Sequence, residues 1–243
     1  MTDPCPVCQG TGFEIRSGSD GIAVSLRCAC SVHDRADRLL RAARIPRRYE
    51  HCTLDNFEVW QPSLGPALGW ARDWLERWPL DVEVGLLLAG PPGTGKTHLA
   101  VGLLRELASR KGARTLFAEQ RELLKDLQAT FDGAGGRSEG DVMGPVLEAE
   151  VLLLDDLGAG RTSAWAQDVM HDVLAHRYNR KLPTLMTTNR AVGDEDVIAP
   201  AEAPTLRDRL GDALMSRLYE MCRVIPVESE DFRRSVLHAR HRF

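Results

Sequence analysis

Gly90-Pro-Pro-Gly-Thr-Gly-Lys-Thr97 decides the fold of this 243-residue chain. The stretch fits G-x-x-x-x-G-K-[ST]. An apolar run ending in Leu86-Leu87-Leu88-Ala89 precedes it, and a helix-favouring run from His98 to Lys111 follows. That is the strand, loop and helix order in which a P-loop cradles phosphate. Gly90, Gly93 and Gly95 can take backbone angles closed to other residues, so successive N–H groups can turn inward around phosphate oxygens. The helix starting near Lys96 adds its positive dipole end. Lys96 is expected to reach the β- and γ-phosphates and the Thr97 hydroxyl to ligate Mg²⁺. Gly90, Pro91, Pro92, Thr94 and His98 complete the expected nucleotide-binding set, with ATP and Mg²⁺ as cofactors.

Val151-Leu-Leu-Leu154-Asp155-Asp156 is the second chemical motif. A continuous apolar run fits a strand buried on both faces of a parallel sheet, and it delivers two carboxylates at the end where open α/β sheets hold ligands. Asp155 is expected to hold Mg²⁺ and Asp156 to orient and deprotonate the attacking water. Thr184 to Asn189 reads as a further strand whose polar tip brings Asn189 to the γ-phosphate or the water. Thr115–Ala118 and Arg223–Val227 supply two more strands. Helices are expected over Ala67–Trp78, Glu122–Phe131, Ser163–Lys181 and Leu206–Leu218, with loops at Gly133–Gly140 and Gly193–Pro204. Five strands alternating with helices call for a parallel sheet covered on both faces. Such a subunit could hydrolyse ATP slowly. It lacks, close by in sequence, a cation for the charge that builds on the γ-phosphate.

The first 52 residues read differently. Cys5-Pro-Val-Cys8 has the C-x-x-C spacing of a zinc knuckle, and Cys28-Ala-Cys30 follows a short strand at Ile22–Leu26. Four thiolates would close a tetrahedral structural zinc site in a segment too small to fold on its own core. His33 is an alternative to Cys30. From Ser31 to Arg44 a helix is expected, ended by Pro46, with Arg35, Arg38, Arg41 and Arg44 spread over one broad face. Cys52 reads as a buried thiol, and the Trp74 and Trp78 pair as core. The chain thus divides into a zinc-binding, partner-docking segment over 1–52 and an ATPase domain over 53–243.

Composition sets outer bounds. A hydrophobic fraction of 43% and a charged fraction of 27% are ordinary for a globular protein. No apolar run approaches a membrane span and the first residues lack a signal-peptide core, so the reading is cytoplasmic. A net charge of −4 gives no global pull toward nucleic acid, so any such binding must come from local patches. Six cysteines in a reducing compartment point to metal or free thiols before disulfides.

From Arg47 to about Arg234 the chain resembles an AAA+ ATPase of the DnaC/IstB clade, the helicase loaders and transposition helpers related to the initiator DnaA. The resemblance rests on Gly90–Thr97 and Leu153–Gly158, on Arg161-Thr-Ser-Ala-Trp165, and on His176–Asn179 with Pro183-Thr184 before Thr187-Thr-Asn189. Asp208–Gly211 and Ser216–Cys222 complete it. It implies an AAA+ sheet with the P-loop strand central and the Asn189 strand between it and the Asp155 strand. It makes Asn189 the sensor 1 residue. Arg217 becomes the arginine finger that completes a neighbour's ATP site in a homo-oligomer, with Arg209 as a second candidate. Arg121, Lys125, Phe131 and Arg137 form a basic and aromatic set suited to single-stranded DNA. Asp156 stands in place of Glu at the second Walker B carboxylate, as this clade allows, which suggests slow turnover, and there is little room for the helical lid that many AAA+ proteins carry. The cysteines favour a loader of the replicative helicase; a transposition helper or a non-hydrolysing adaptor is the alternative.

Overall fold

The computed structural model describes residues 5–17, 23–80, 84–131, 136–160, 163–193 and 204–237. The expected acidic loop lies mostly outside them, at 194–203, as do Ile22, Arg161, Thr162 and the glycine-rich 132–135. Among the described residues, no helix is long and apolar enough to cross a membrane.

Two short strands open the chain, β1 (Phe13–Ser17) and β2 (Ala23–Arg27), paired antiparallel with Phe13 opposite Arg27. Helix α1 (Ala29–Ala42) follows. It stops two residues earlier than the position of Pro46 suggests, because Arg44 adopts a left-handed φ of 54° that no helix can continue. α1 lies against a later helix, α3 (Lys96–Ser109), and a later strand, β4 (Thr115–Glu119), and the Ala43 carbonyl just after it accepts from Phe117 N at 2.7 Å. A connector carries the single turns Arg47–Tyr49 and Pro62–Leu64 into α2 (Gly65–Arg77). Trp74 is buried in the core, its indole N–H donating to the Val84 carbonyl at 2.9 Å, and stacks on Trp78 at 5.6 Å. Cys52 is buried too, and burial raises its thiol to about 11.

The remaining elements build the α/β layers expected from the P-loop: β3 (Gly85–Ala89), α3 (Lys96–Ser109), β4 (Thr115–Glu119), α4 (Gln120–Phe131), α5 (Glu139–Glu148), β5 (Val151–Asp155), α6 (Ala164–Asn179), β6 (Thr184–Thr188), α7 (Leu206–Leu210), α8 (Asp212–Met221) and β7 (Cys222–Pro226). The sheet is parallel in the order β4-β5-β6-β3-β7. The Asn189 strand, β6, does lie between the P-loop strand and the Asp155 strand. It takes the middle of the sheet itself, however, and the P-loop strand β3 is one place from the edge.

Side-chain alternation explains the two helical layers. Leu86, Leu88, Leu153, Leu185 and Ile225 face a core shared with α2 and α3, including Leu68, Leu99 and Leu103. Leu87, Leu116, Leu152, Leu154 and Met186 face a second core with Leu127, Met170, Val173 and Met215 of the helices on the other side.

Two elements differ from the sequence reading. The loop expected to run to Gly140 gives way to α5, whose N-terminus is a capping box: the Ser138 hydroxyl accepts from Asp141 N, and the Asp141 carboxylate accepts from Ser138 N at 2.8 Å. Gly140, Gly144 and Pro145 inside that helix masked its periodicity. The single helix expected over Leu206–Leu218 is two, because Gly211 at φ +81° breaks it.

One buried cation holds the second layer to the sheet. Arg177 of α6 is fully buried, and its guanidinium donates to Thr184 Oγ1 at 2.8 Å and to the carbonyls of Val146, Ala149 and Pro183 at 3.1, 3.0 and 2.9 Å. Burial lowers its pKa to about 10, so it stays charged.

Candidate functional site

The C-terminal ends of β5, β6 and β4 and the loop after β3 open on one cavity of about 630 Å³. Pro92 to His98, Asp155, Asp156 and Asn189 all line it. Lys96 and Asn189, far apart in sequence, meet here because parallel strands end at one rim. Gly90 and Pro91 sit behind the cavity wall: Gly90 N donates to the Thr188 carbonyl at 3.2 Å, and Pro91 offers its carbonyl to Lys96.

Lys96, only 6% exposed, donates through Nζ to Pro91 O at 2.6 Å. Burial lowers its ammonium to about 8 against the opposing pull of Asp155 and Asp156. Thr97 donates to Asp155 Oδ1 at 2.9 Å, and Thr187 donates to the same oxygen at 2.6 Å. Burial pushes the Asp155 carboxyl above the usual carboxylate range, although both hydroxyls pull it down. Asp156 is held in a left-handed φ of 57°, with its backbone N–H on Thr187 Oγ1 at 2.9 Å and one carboxylate oxygen accepting from Asn189 Nδ2 at 2.7 Å. The arrangement places a buried cation, a hydroxyl and two carboxylates around a space of nucleotide size. Thr97 and Asp155 form the oxygen donor pair that a hard cation such as Mg²⁺ prefers. His98 lies at the rim, its Nε2 2.9 Å from Asn56 Oδ1.

Several lining residues escaped the sequence reading. Arg48 and Tyr49 come from the connector turn, Glu119 ends β4 in register with Asp155, and Phe232 and Arg233 follow β7. Burial, then neighbouring acids including Asp155 and Asp156, raise the Glu119 carboxyl. Asp231 presses its carboxylate on Gly93, where φ is +83° and an added Cβ would collide with it. Two cations, Arg48 and Arg233, border the cavity. Both lie in loops far from the P-loop in sequence, so spacing could not flag them. An arginine just after a Pro-started turn, and Asp-Phe-Arg just after the last strand, were the available signals.

Arg217 does not line its own chain's cavity. It projects from α8 to α6, with Nη1 2.7 Å from Nε2 of His171. Arg209 reaches instead the loop after Asp156, donating to Gly160 O at 2.7 Å. On α4, Arg121 and Lys125 are exposed one turn apart, Phe131 meets Trp165 edge-on at 5.9 Å, and Arg137 pairs with Asp126 at 3.6 Å.

The four cysteines of the first segment converge. The sulfurs of Cys5, Cys8, Cys28 and Cys30 lie within 4.8 Å of one another, with Cys5–Cys28 at 3.9 Å and Cys8–Cys30 at 3.3 Å. Sulfurs ~2.3 Å from a tetrahedral centre are about 3.8 Å apart, so the set fits a metal of zinc's size and taste for thiolate. The cluster includes Cys30 and not His33.

Comparison with known proteins places this geometry. The pattern of the family described as IstB-like ATP binding protein matches residues 32–239. The replicative helicase loader DnaC of Escherichia coli (strain K12) is 26% identical over 187 residues, 74% of this chain and 75% of that one. Rv3427c of Mycobacterium tuberculosis, named for ATP binding and for its insertion sequence, is 31% identical over 72% of each chain. The crystal structure of the DnaC helicase loader superposes with a TM-score of 0.66 at 31% identity, covering 75% of this chain and 100% of that one. Against an uncharacterized relative from Bacillus subtilis (strain 168), the chain spans 61% of the relative's length.

Proposed function

Because the chain belongs to the family of IstB-like ATP binding proteins, we propose that it hydrolyses ATP at the cavity described above and acts as a partner-regulated loader of a replicative helicase. The observation that carries the reading is the split in the catalytic set. Lys96, Thr97, Asp155, Asp156 and Asn189 share one cavity, while Arg217 stands outside it on α8.

Lys96 binds the β- and γ-phosphates once they displace the Pro91 carbonyl. Thr97 and Asp155 would hold Mg²⁺, which neutralises charge between the β- and γ-phosphates when bound. Asp156, fixed by Asn189, orients the attacking water and takes its proton. Arg217 of one subunit reaches the γ-phosphate of the next, so turnover requires assembly. Cys5, Cys8, Cys28 and Cys30 would hold a structural zinc, and the segment 1–52 docks the partner while 53–243 carries the ATPase. Arg121, Lys125, Phe131 and Arg137 supply the contact to single-stranded DNA through charge and stacking. The likeness to DnaC, a replicative helicase loader by name, and the cysteine cluster support this version.

A second reading, an ATP-dependent transposition helper, is favoured by the likeness to the insertion-sequence protein. Both are tested by the ATPase rate against protein concentration, with and without single-stranded DNA, duplex DNA and the host's replicative helicase. A specific rate that climbs with concentration and responds to helicase and single strands supports the loader. Response to duplex DNA alone moves the reading to the transposition helper, and binding without hydrolysis under every condition leaves only an adaptor.

A further inference from the structure

Helix α6 turns one polar stripe toward α7 and α8. Gln167, His171 and Tyr178 fall within about 40° of one another around its axis. Gln167 donates through Nε2 to the Arg209 carbonyl of α7 at 3.0 Å, and the Tyr178 hydroxyl donates to a Glu220 carboxylate oxygen of α8 at 2.8 Å. Between these two ties His171 meets Arg217, whose Nη1 lies 2.7 Å from Nε2. An arginine can only donate, so the imidazole accepts, and its own proton lies on Nδ1, 3.9 Å from the Asp172 carboxylate. Both partners are half-buried. The base under them is rigid, since Met170, Val173 and Leu174 of α6 and Leu214, Met215 and Leu218 of α8 are buried in the second core.

We propose that His171 is a positioning residue for Arg217: it sets the arginine of one subunit in the orientation in which it meets the ATP of the next. The inference rests on the reading of Arg217 as an arginine finger. Catalysis across a subunit boundary needs aim as well as charge, because a misplacement of about 1 Å can cost ~10²-fold in rate. A long arginine side chain samples many rotamers and loses that freedom when it engages a phosphate. The bond to His171 takes part of the loss in advance. It uses one N–H of the guanidinium fork, and the fork has further N–H groups with which to grip phosphate oxygens. The ties from Gln167 and Tyr178, on either side of Arg217 in sequence, hold α7 and α8 to the helix that carries His171. A clasp that kept the arginine away from the neighbour would have the opposite effect on rate when removed.

The test mixes two kinds of full-length subunit so that the arginine works only in trans. Arg217→Ala subunits keep the ATP site, and Lys96→Ala subunits supply the arginine. ATP hydrolysis by the mixture is measured with His171→Phe or His171→Gln added to one kind at a time. In the Lys96→Ala subunit, His171→Phe should lower kcat about tenfold, the order set by loss of a hydrogen bond to a charged group, with KM for ATP unchanged. His171→Gln, whose side-chain oxygen can accept in place of Nε2, should restore most of the rate. The loss should vanish when His171→Phe is placed instead in the Arg217→Ala subunit, which has no arginine to aim. Equal losses in both kinds of subunit would reduce His171 to packing and overturn the proposal. So would failure of Gln to rescue, or a rate that Phe leaves unchanged or raises. A mixture that recovers no hydrolysis even with His171 intact would remove Arg217 from the trans role, and the inference with it.

Discussion

Asn189 donates its side-chain N–H to a carboxylate oxygen of Asp156 at 2.7 Å, so the tip of β6 fixes the group that follows β5. One oxygen of Asp156 is thereby occupied and the other is left for a water. Replacing Asp156 by Asn should lower kcat by about 10²–10⁴, the usual worth of a general base, while ATP affinity stays near that of the unaltered chain. Asn189→Ala should do the same to a smaller degree. Single-turnover hydrolysis beside equilibrium ATP binding checks both, and full hydrolysis by Asp156→Asn would transfer the role elsewhere, with Glu119, a carboxylate that also lines the cavity, the one to test.

Arg217→Ala should bind ATP normally and lose hydrolysis by about 10³–10⁵ at every protein concentration, as removal of an arginine finger does. Mixing it with Lys96→Ala should restore part of the rate, because one subunit then supplies the site and the other the arginine. Failure of the mixture to recover, or unchanged hydrolysis by Arg217→Ala alone, would return Arg217 to its contact with His171 and direct the search to Arg209.

The burial of Lys96 sets a pH dependence. Its ammonium titrates near 8 in the free protein, whereas bound phosphates favour the charged form. Below pH 8 the cation is already present and affinity is flat; above it, binding must first take up a proton. Affinity should therefore fall as pH rises through about 8, by up to tenfold per pH unit. Calorimetry at pH 8.5 in two buffers of different ionisation heat should reveal proton uptake, and an affinity unchanged between pH 7 and 9.5 would contradict it.

Arg177→Met removes the donors for three buried carbonyls and Thr184 at once. Each orphaned acceptor costs ~1–3 kcal/mol, so a loss of about 3 kcal/mol or more is expected. Urea unfolding measures it, and a loss below ~1 kcal/mol would mean that water or relaxation satisfies those carbonyls.

Cys5→Ser should remove zinc and partner binding while the ATPase core still unfolds cooperatively. Metal analysis and thermal unfolding of the same sample decide this, and zinc retained at one per chain would exclude Cys5 as a ligand.

The P-loop strand and the Asp155 strand could be read from sequence because burial on both faces demands uninterrupted apolar runs, whereas the Asn189 strand, Thr184–Thr188, has only Leu185 and Met186 apolar and was legible from Pro183 before it and its polar tip. Cys5, Cys8, Cys28 and Cys30 were equally legible, since metal-ligand spacing is local. What stayed hidden was either interrupted or distant. The helix beginning at Glu139 carries two glycines and a proline, and only the Ser138 and Asp141 pair announces it. Gly211 looked like part of a continuous helix because its neighbours Leu210 and Leu214 keep a helical spacing. Arg48, Tyr49, Phe232 and Arg233 reach the cavity only through tertiary folding of loops. The role of Arg177 was invisible because an arginine next to Tyr178 on a helix reads as solvated until α5 covers it.

The bond from Phe117 N to the Ala43 carbonyl has a consequence for how the chain may be cut. β4 is the outermost strand on its side of the sheet, and such a strand presents unpaired backbone groups that recruit strands of other molecules. The turn after α1 covers part of that margin. A version of the protein shortened to begin near Thr53, although it would keep the entire P-loop, should lose this cover and self-associate into aggregates.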